Sequence, residues 1–154
     1  MSQKEEILTP EGQMALFWRI LHLLTARYGN HPMGQLLVAL TMVFMNERGT
    51  PPTMTEICAA TGLPKSSVSR YVSWQIEQGL AREEVDPNDR RRRRLVQTPK
   101  GKAEWRWQVK QIGQLFDEIS ELDNSFRLSS DRPGAEDLLE RLIEINRQAT
   151  GNFS

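Results

Sequence analysis

Apolar residues recur along the chain at helical spacing, which predicts helices on both sides of a more polar central segment. The first helix is predicted to begin with Thr9 as its N-cap and Pro10 in its first turn, and to end at Gly29. Its apolar positions, three or four residues apart, are Phe17, Ile20, Leu21, Leu24 and Tyr28. Such a stripe predicts an amphipathic helix that packs through one face.

A second helix is predicted after Pro32, because the chain is apolar on almost every side until residues 49–52 break the pattern. Its apolar positions are Leu36, Leu37, Leu40, Val43 and Phe44. A helix that is apolar all round is usually buried, so we expect this one at the centre of the fold. Its apolar run is far shorter than the ~20 residues of a membrane span, so no membrane partner is expected.

The central segment predicts two short helices joined by a glycine turn. Thr53 and Glu56 form the S/T-x-x-E pattern of a capping box, and Gly62 supplies the turn after the first helix. The residues that can pack inward from that helix are Ile57, Ala60 and Leu63. A helix, a glycine turn and a second helix give the outline of a helix-turn-helix.

The second of these helices is predicted over residues 64–78, with Pro64 at its first position and Gly79 as its left-handed cap. At ~100° per residue its positions divide into two faces. The inward face holds Val68, Tyr71, Val72 and Gln75. The outward face, which is small, polar and cationic, holds Ser66, Ser69, Arg70 and Ser73. An ordinary surface helix can have this pattern, but it also suits a recognition helix in the major groove, with Lys65 and Ser67 near phosphate.

Residues 80–85 and 93–98 predict two short strands that pair around the turn residues 86–89. Five consecutive arginines, at positions 90–94, follow that turn. A solvated charge run is the alternative interpretation. Like charges at this density repel one another, so an anionic partner is favoured, either DNA phosphates or a narrow minor groove.

Charge is distributed unevenly along a chain whose net charge is zero. Residues 53–110 carry 12 basic and 7 acidic side chains, net +5, and the remainder carries 8 basic and 13 acidic, net −5. A nucleic-acid-binding protein can be neutral overall when its cationic groups are focused on one face. The position of the charge therefore favours a nucleic acid, and double-stranded DNA is the partner that we predict.

Five short motifs from this segment carry a family resemblance. They are Glu56-Ile57-Cys58, Gly62-Leu63-Pro64-Lys65-Ser66-Ser67-Val68-Ser69-Arg70, Gly79-Leu80, Asp86-Pro87-Asn88-Asp89-Arg90-Arg91 and Thr98-Pro99-Lys100-Gly101. Together they resemble the MarR family of bacterial winged-helix transcriptional regulators, over about residues 53–104. The fold class that we predict is mainly α with a small β-hairpin wing (α+β). Residues 1–154 then form one MarR-like domain, with a winged helix-turn-helix head at residues 53–98.

The wing signature of that family is Asp-x-Arg, which matches Asp89 and Arg91. The resemblance implies that Asp89 steadies the hairpin and that Arg91 enters the minor groove, with Arg90 and Arg92 as helpers. It also implies a repressor that binds a palindromic operator.

Two glutamines depart from the family pattern. Gln75 lies in the middle of the predicted inward face, where the family usually has an apolar residue, and Gln97 replaces another just before Thr98. Buried polar groups are normally hydrogen-bonded, so we expect a polar pair or a water beside Gln75 in the core of the head.

Two further helices are predicted after the hairpin. Thr98 and Pro99 begin a long one, whose apolar positions are Val109, Ile112, Phe116, Ile119 and Leu122. The other follows Pro133-Gly134 and carries Leu138, Leu139, Leu142, Ile143 and Ile145. The resemblance implies that residues 8–50 and 99–150 form a dimerisation scaffold, and a homodimer would place two recognition helices about one DNA turn apart.

Cysteine, histidine and tryptophan residues leave alternatives open. Cys58 falls in an apolar pattern and is interpreted as structural, with a redox switch as the alternative. His22 and His31 lack neighbouring metal ligands, and we expect no metal, cofactor or enzymatic activity. Tryptophans at helical spacing are usually core or interface residues. The family resemblance nevertheless implies a small aromatic or anionic effector, which Trp105 or Trp107 with Arg106 could contact, and we assign no ligand site.

Cellular location and function complete the prediction. A single cysteine suits a reducing compartment, and residues 1–6 are polar and acidic, unlike a secretory signal, so cytoplasm is expected. The predicted function is DNA-binding transcriptional regulation, with release by a small molecule. The alternatives are a winged-helix module that binds another protein and a regulator switched by oxidation of Cys58.

Overall fold

The computed structural model describes residues 8–128 and 135–149, which divide between two compact units. The head unit comprises residues 30–109, and the helical unit comprises the described residues up to 29 and from 110 onward. The elements are α1 (Pro10–Tyr28), α2 (Met33–Glu47), α3 (Met54–Thr61), α4 (Lys65–Glu77), β1 (Ala81–Val85), β2 (Arg93–Gln97), α5 (Pro99–Leu128) and α6 (Ala135–Ala149). The predicted mainly helical fold with one hairpin is confirmed. Residues 1–6 and Pro133-Gly134, used in the predictions above, lie outside the described residues.

The helices begin where local capping chemistry predicts. The hydroxyl oxygens of Thr9, Thr53 and Thr98 each accept a hydrogen bond from the backbone N–H three residues on, at 3.1, 3.2 and 3.1 Å. Each bond satisfies an N–H group that has no partner within its helix. The prediction was wrong by one residue at α4, because Pro64 has extended ψ (146°) and caps the helix, which begins at Lys65.

The head unit is organised around a core to which α2, α3, α4 and both strands contribute. Its buried members are Val38, Met42, Ile57, Val68, Tyr71, Val72, Ala81 and Leu95. The predicted inward face of α4 is confirmed, including Gln75, which is also buried. The prediction for Ala60 was wrong. The packed side of α3 runs through Met54, Ile57 and Cys58, which turns Ala60 toward solvent.

α2 is buried along one side only. It contacts α3, α4 and β2 within the head unit, and its buried residues are Gln35, Val38 and Met42. Four large apolar side chains of α2 remain exposed: Met33, Leu37, Leu40 and Phe44. The expectation that this helix is buried all round was therefore wrong, because its partners in the head cover only one side.

The helical unit packs a smaller core, in which Ala15, Ile119 and Leu142 are buried. The α1 stripe predicted from the sequence is not the buried one, since Phe17 and Leu21 are exposed. Instead α1 buries Gly12, Ala15, Arg19 and Leu23. The predicted stripe of α5 is also divided, with Ile119 buried but Val109 and Phe116 exposed.

Polar contacts explain how α1 buries an arginine. The Arg19 guanidinium donates to a Glu118 carboxylate oxygen at 2.9 Å and to the Asn146 side-chain oxygen, which brings α5 and α6 against α1. Asp123, also buried, accepts hydrogen bonds from the backbone N–H and the hydroxyl of Thr9 at the start of α1. None of the described helices combines the length and hydropathy needed to cross a membrane.

Candidate nucleic-acid interface

The face of α4 opposite the core carries the four residues predicted for the major groove. Ser66, Ser69, Arg70 and Ser73 are all exposed, whereas the opposite face is fixed in the core of the head. The Arg70 guanidinium carbon lies 5.2 Å from the ring centroid of Tyr71, close enough for a cation–π contact that restrains the end of this side chain. α4 therefore presents hydroxyl groups and one guanidinium together on a rigid, narrow surface.

The first turn of α4 presents backbone donors beside a cation. Pro64 supplies no side-chain hydrogen bond to this turn, Lys65 is exposed and Ser67 is partly exposed. The N–H groups of a helix start carry partial positive charge and favour an anion such as phosphate. Lys65 and Ser67, which are predicted to lie near phosphate, are thus at the end of α4 where an anion is best stabilised.

The other end of α4 is joined to the hairpin by a tight glycine turn. Gly79 has a positive φ of 73°, and its N–H donates to the Ile76 carbonyl at 2.9 Å. The Leu80 N–H donates to the Gln75 carbonyl at 2.9 Å, which completes a Schellman motif. β1, the first strand of the wing, therefore begins at a fixed angle directly after α4, the predicted recognition helix.

The hairpin forms as predicted, with β1 and β2 antiparallel and in register from Ala81 opposite Gln97 to Val85 opposite Arg93. At its tip the Asp89 carboxylate accepts a hydrogen bond from the Arg91 N–H at 3.0 Å and lies 3.6 Å from the Arg92 guanidinium. These contacts fold the arginine-rich side of the turn around Asp89.

The five arginines do not share one environment. Arg90, Arg91, Arg92 and Arg93 are exposed, whereas the Arg94 side chain is only 22% exposed and points into the head. Its Nε donates to an Asp86 carboxylate oxygen at 2.9 Å, and a terminal nitrogen donates to the Pro51 carbonyl at 2.6 Å. Of these five arginines, the exposed cationic surface thus comprises positions 90–93.

Sequence reasoning missed the pair formed by Asp86 and Arg94, because their proximity depends on the register of the hairpin. In the observed register Glu84 faces Arg94, and the Asp86 N–H donates to the Arg92 carbonyl. Alternate positions share one face of a hairpin, so Asp86 and Arg94 are diagonal neighbours on the same face. Their opposite charges at that spacing predict an ion pair once the register is known.

Asp86 is buried, yet its environment favours the charged carboxylate. The hydrogen bond from the Asn88 backbone N–H lowers the pKa of Asp86, burial opposes that shift, and the Arg94 guanidinium lowers the pKa further, for a net decrease. A carboxyl with a lowered pKa in the folded state stabilises the fold above its unfolded-state pKa. That contribution is lost as the pH falls through the folded-state value, so the pair is fully charged near neutral pH.

Comparison with known protein families matches residues 35–92 to the model of the MarR family. Over these residues the chain is similar to the MarR family. The matched residues run from α2 through α3, α4 and β1 to the arginines of the wing, and so include all of the predicted DNA-contacting positions. Comparison with curated proteins finds no match to this sequence.

Solved structures share the fold over nearly the whole chain. A MarR-like transcriptional regulator from Thermotoga maritima is 19% identical, with a TM-score of 0.54, and the match covers 96% of this chain and 99% of that one. A MepR mutant of S. aureus bound to an oligodeoxyribonucleotide is 16% identical, with a TM-score of 0.57 and coverages of 90% and 91%. A mutant MarR from E. coli is 15% identical, with a TM-score of 0.53 and coverages of 95% and 99%. The comparisons support a transcriptional regulator.

The two glutamines that depart from the MarR-family pattern are both buried. The Gln97 side chain donates to the Gly101 carbonyl at 3.3 Å, which joins the end of β2 to the first turn of α5. A polar partner or a water beside the Gln75 side chain stays a prediction. Polar groups therefore occupy two positions of this head where the MarR family usually has apolar packing.

Several of the remaining residues of chemical interest pack against neighbouring side chains. Cys58 is partly buried against the core of the head, as expected for a structural cysteine. The ring of His22 stacks on Trp18 at 5.5 Å between centroids, and the ring of His31 meets Trp74 edge-on at 4.8 Å. No group of three or more metal-ligating side chains occurs among the described residues. Trp105 packs edge-on against Phe44 at 5.9 Å, and Arg106 is exposed.

Proposed function

We propose that this protein is a cytoplasmic repressor of transcription that binds a palindromic DNA duplex as a homodimer. The exposed polar and cationic face of α4, held by its buried opposite face, is the observation that carries the proposal. In this proposal the base edges of the major groove are contacted by Ser66, Ser69, Arg70 and Ser73, and phosphates by Lys65 and Ser67. An arginine bonds guanine through two acceptors, so Arg70 is the main source of base preference.

The wing supplies affinity in the same proposal. Arg91 enters the minor groove, Arg90 and Arg92 assist it, and Asp89 steadies the turn that carries them. All three arginines are exposed, which supports these roles. The fold shared with a MepR mutant that was bound to an oligodeoxyribonucleotide supports DNA as the partner.

Two substitutions separate base readout from affinity. We expect Arg70→Ala to relax the preference for one base pair by about 1–3 kcal/mol, because a bidentate contact is lost. We expect Arg91→Ala to weaken binding to every sequence about equally. The salt slope, which is the slope of the logarithm of the binding constant against the logarithm of the salt concentration, should fall in magnitude by about 1. Gel shifts with the chain's own upstream DNA, measured at two salt concentrations on specific and scrambled duplexes, give both quantities.

Arg147→Ala is the charge-matched control for these two variants. Arg147 is exposed on α6 in the helical unit, where it lies 3.7 Å from Glu144. The control should bind both duplexes with wild-type affinity and the wild-type salt slope. Wild-type behaviour of the Arg70 and Arg91 variants would contradict the assignment of α4 and the wing.

Exposed apolar side chains on the helical unit support the homodimer. Met14, Phe17 and Leu21 recur on one side of α1, and Leu139 and Ile143 are exposed one turn apart on α6. Exposed apolar side chains grouped in this way often mark an interface. The helices outside residues 53–98 would thus form the dimerisation scaffold, and the paired heads would read the two halves of a palindrome.

The homodimer is tested by its mass in solution. We expect light scattering at micromolar concentration to give twice the 17.7 kDa mass of the chain. Phe17→Asp should shift the mass toward the monomer, because it places a charge within the apolar row. Val85→Asp is the control, since it adds the same charge at an exposed apolar position of the wing. A monomeric wild type, or equal masses for both variants, would argue against this interface.

Control of DNA binding by a small aromatic or anionic effector is the last part of the proposal. Either of the partly exposed Trp105 and Trp107, with the exposed Arg106 on α5, offers the aromatic surface and the positive charge that such a molecule needs. A cationic group beside aromatic rings favours an aromatic acid over a neutral compound.

A further inference from the structure

Arg94 lies at the junction between the wing and the segment that leads into α3. Beyond its bonds to Asp86 and to the Pro51 carbonyl, its guanidinium lies 3.8 Å from a carboxylate oxygen of Glu56 on α3. The side chain of Asp86 is only 4% exposed, so the ion pair is shielded from water. Charge-assisted hydrogen bonds are strong where water is excluded, so this contact resists local opening.

Asp86 connects the same ion pair to the tip of the wing. One carboxylate oxygen accepts the Arg94 bond, and the other accepts the Asn88 backbone N–H at 2.9 Å. The Asp86 backbone N–H donates to the Arg92 carbonyl at 3.0 Å. A single carboxylate thus joins the anchored Arg94 to the turn from which the exposed arginines project.

The outer edge of β2 is fixed to the head by a second set of contacts. The Leu95 N–H donates to the Pro52 carbonyl at 2.8 Å. The side-chain amide of Asn46, from the end of α2, donates to the Leu95 carbonyl and accepts the Gln97 N–H, both at 3.0 Å. The base of the hairpin is therefore held rigidly, and the orientation of its tip depends on the contacts made by Asp86.

We propose that Asp86 and Arg94 form a brace that positions the wing, and that Arg94 is not a DNA contact. This inference rests on the proposed DNA-binding function. The Arg94 guanidinium is directed at the Asp86 carboxylate and the Pro51 carbonyl, whereas the four neighbouring arginines are exposed. The brace holds the turn in the orientation that presents Arg91 to the minor groove, so the ordering of the wing does not oppose binding.

Substitution of Asp86 separates this brace from simple electrostatics. Asp86→Asn removes a negative charge from the wing, which by charge alone should strengthen binding to DNA. If the carboxylate positions the wing, the same change should instead weaken binding about tenfold and reduce the salt slope by about 1, as loss of the Arg91 contact would. The base preference conferred by Arg70 should not change.

Arg94→Lys gives an independent test with no change in charge. A lysine ammonium lacks the planar fork that reaches the Asp86 carboxylate and the Pro51 carbonyl together, so we expect the same loss of affinity and slope. A direct phosphate contact would instead be largely preserved, because lysine also binds phosphate. This variant keeps the positive charge at position 94, and it decides the question if Asp86→Asn does not fold.

Two matched controls come from the same hairpin. Glu83→Gln removes an exposed carboxylate of β1 and should bind DNA at least as tightly as the wild type. Arg93→Lys changes an exposed arginine beside Arg94 and should keep the wild-type salt slope. Circular dichroism establishes that each variant is folded at the assay temperature.

The outcomes distinguish the brace from the function on which it rests. If the wild type binds its upstream DNA and both Asp86→Asn and Arg94→Lys bind it more weakly, the brace is supported. If the wild type binds this DNA and both variants bind it equally well or more tightly, the brace is overturned and the proposed function stands. Failure of the wild type to bind its upstream DNA overturns both.

Discussion

Gly101→Ala should destabilise the protein by about 3 kcal/mol or more, because overpacking against fixed backbone has no easy relief. A Cβ at position 101 would overlap the Leu80 carbonyl oxygen and lie 3.1 Å from Cγ of Gln97. The Leu80 carbonyl accepts the Thr98 N–H at 3.1 Å, so it cannot turn away without losing that bond. Urea denaturation followed by circular dichroism measures the change in the free energy of unfolding.

Gly113→Ala is the matched control on the same helix. A Cβ at position 113 would meet no atom within 4 Å. Alanine is the better helix former, so this variant should gain up to about 1 kcal/mol. Equal stabilities of the two variants would show that the first turn of α5 shifts freely, contrary to the close approach of Gly101 to Leu80.

The second large effect is expected at the centre of the head. Ile57 on α3 is 0% exposed and packs in the same core as Val68 and Leu95. We expect Ile57→Ala to cost about 2–5 kcal/mol, because it removes buried methyl groups and leaves a cavity. DNA binding should fall with the folded fraction, and thermal or urea denaturation measures the loss directly.

Leu37→Ala provides the comparison for this core substitution. Leu37 lies on α2 in the same head unit, and it is 45% exposed. Surface substitutions usually change stability by less than about 0.5 kcal/mol, so we expect a small effect. A loss as large as that of Ile57→Ala would mean that the exposed side of α2 is covered in solution.

Features governed by neighbours in sequence could be predicted from the sequence alone. The caps at Thr9, Thr53 and Thr98 depend on a hydroxyl and an N–H three residues away. The two faces of α4 follow from helical periodicity, and the hairpin follows from its turn residues. The candidate DNA-contacting surface of α4 was accessible for the same reason.

Features that depend on distant partners could not be predicted. Arg19 is buried because Glu118 and Asn146 reach it from α5 and α6, and no local pattern predicts that an arginine faces inward. That contact turns α1 so that Phe17 is exposed. Arg94 likewise differs from the four arginines before it because its guanidinium donates to the Pro51 carbonyl, which is distant in sequence. Composition predicted the charge of the wing, but only the structure separates the internal arginine from the exposed ones.

The contacts along β2 also protect this protein against aggregation through its hairpin. A two-stranded hairpin exposes two backbone edges, and a free edge can template strand pairing between chains. Along β2 the backbone groups of Leu95 and the N–H of Gln97 are already hydrogen-bonded to the Pro52 carbonyl and the Asn46 amide. A strand from another chain would need these same groups to pair with β2. Exposed charged side chains line β1, at Arg82, Glu83 and Glu84, and charge discourages such pairing. Crowded molecules can therefore expose their wings to DNA without the hairpins seeding aggregation.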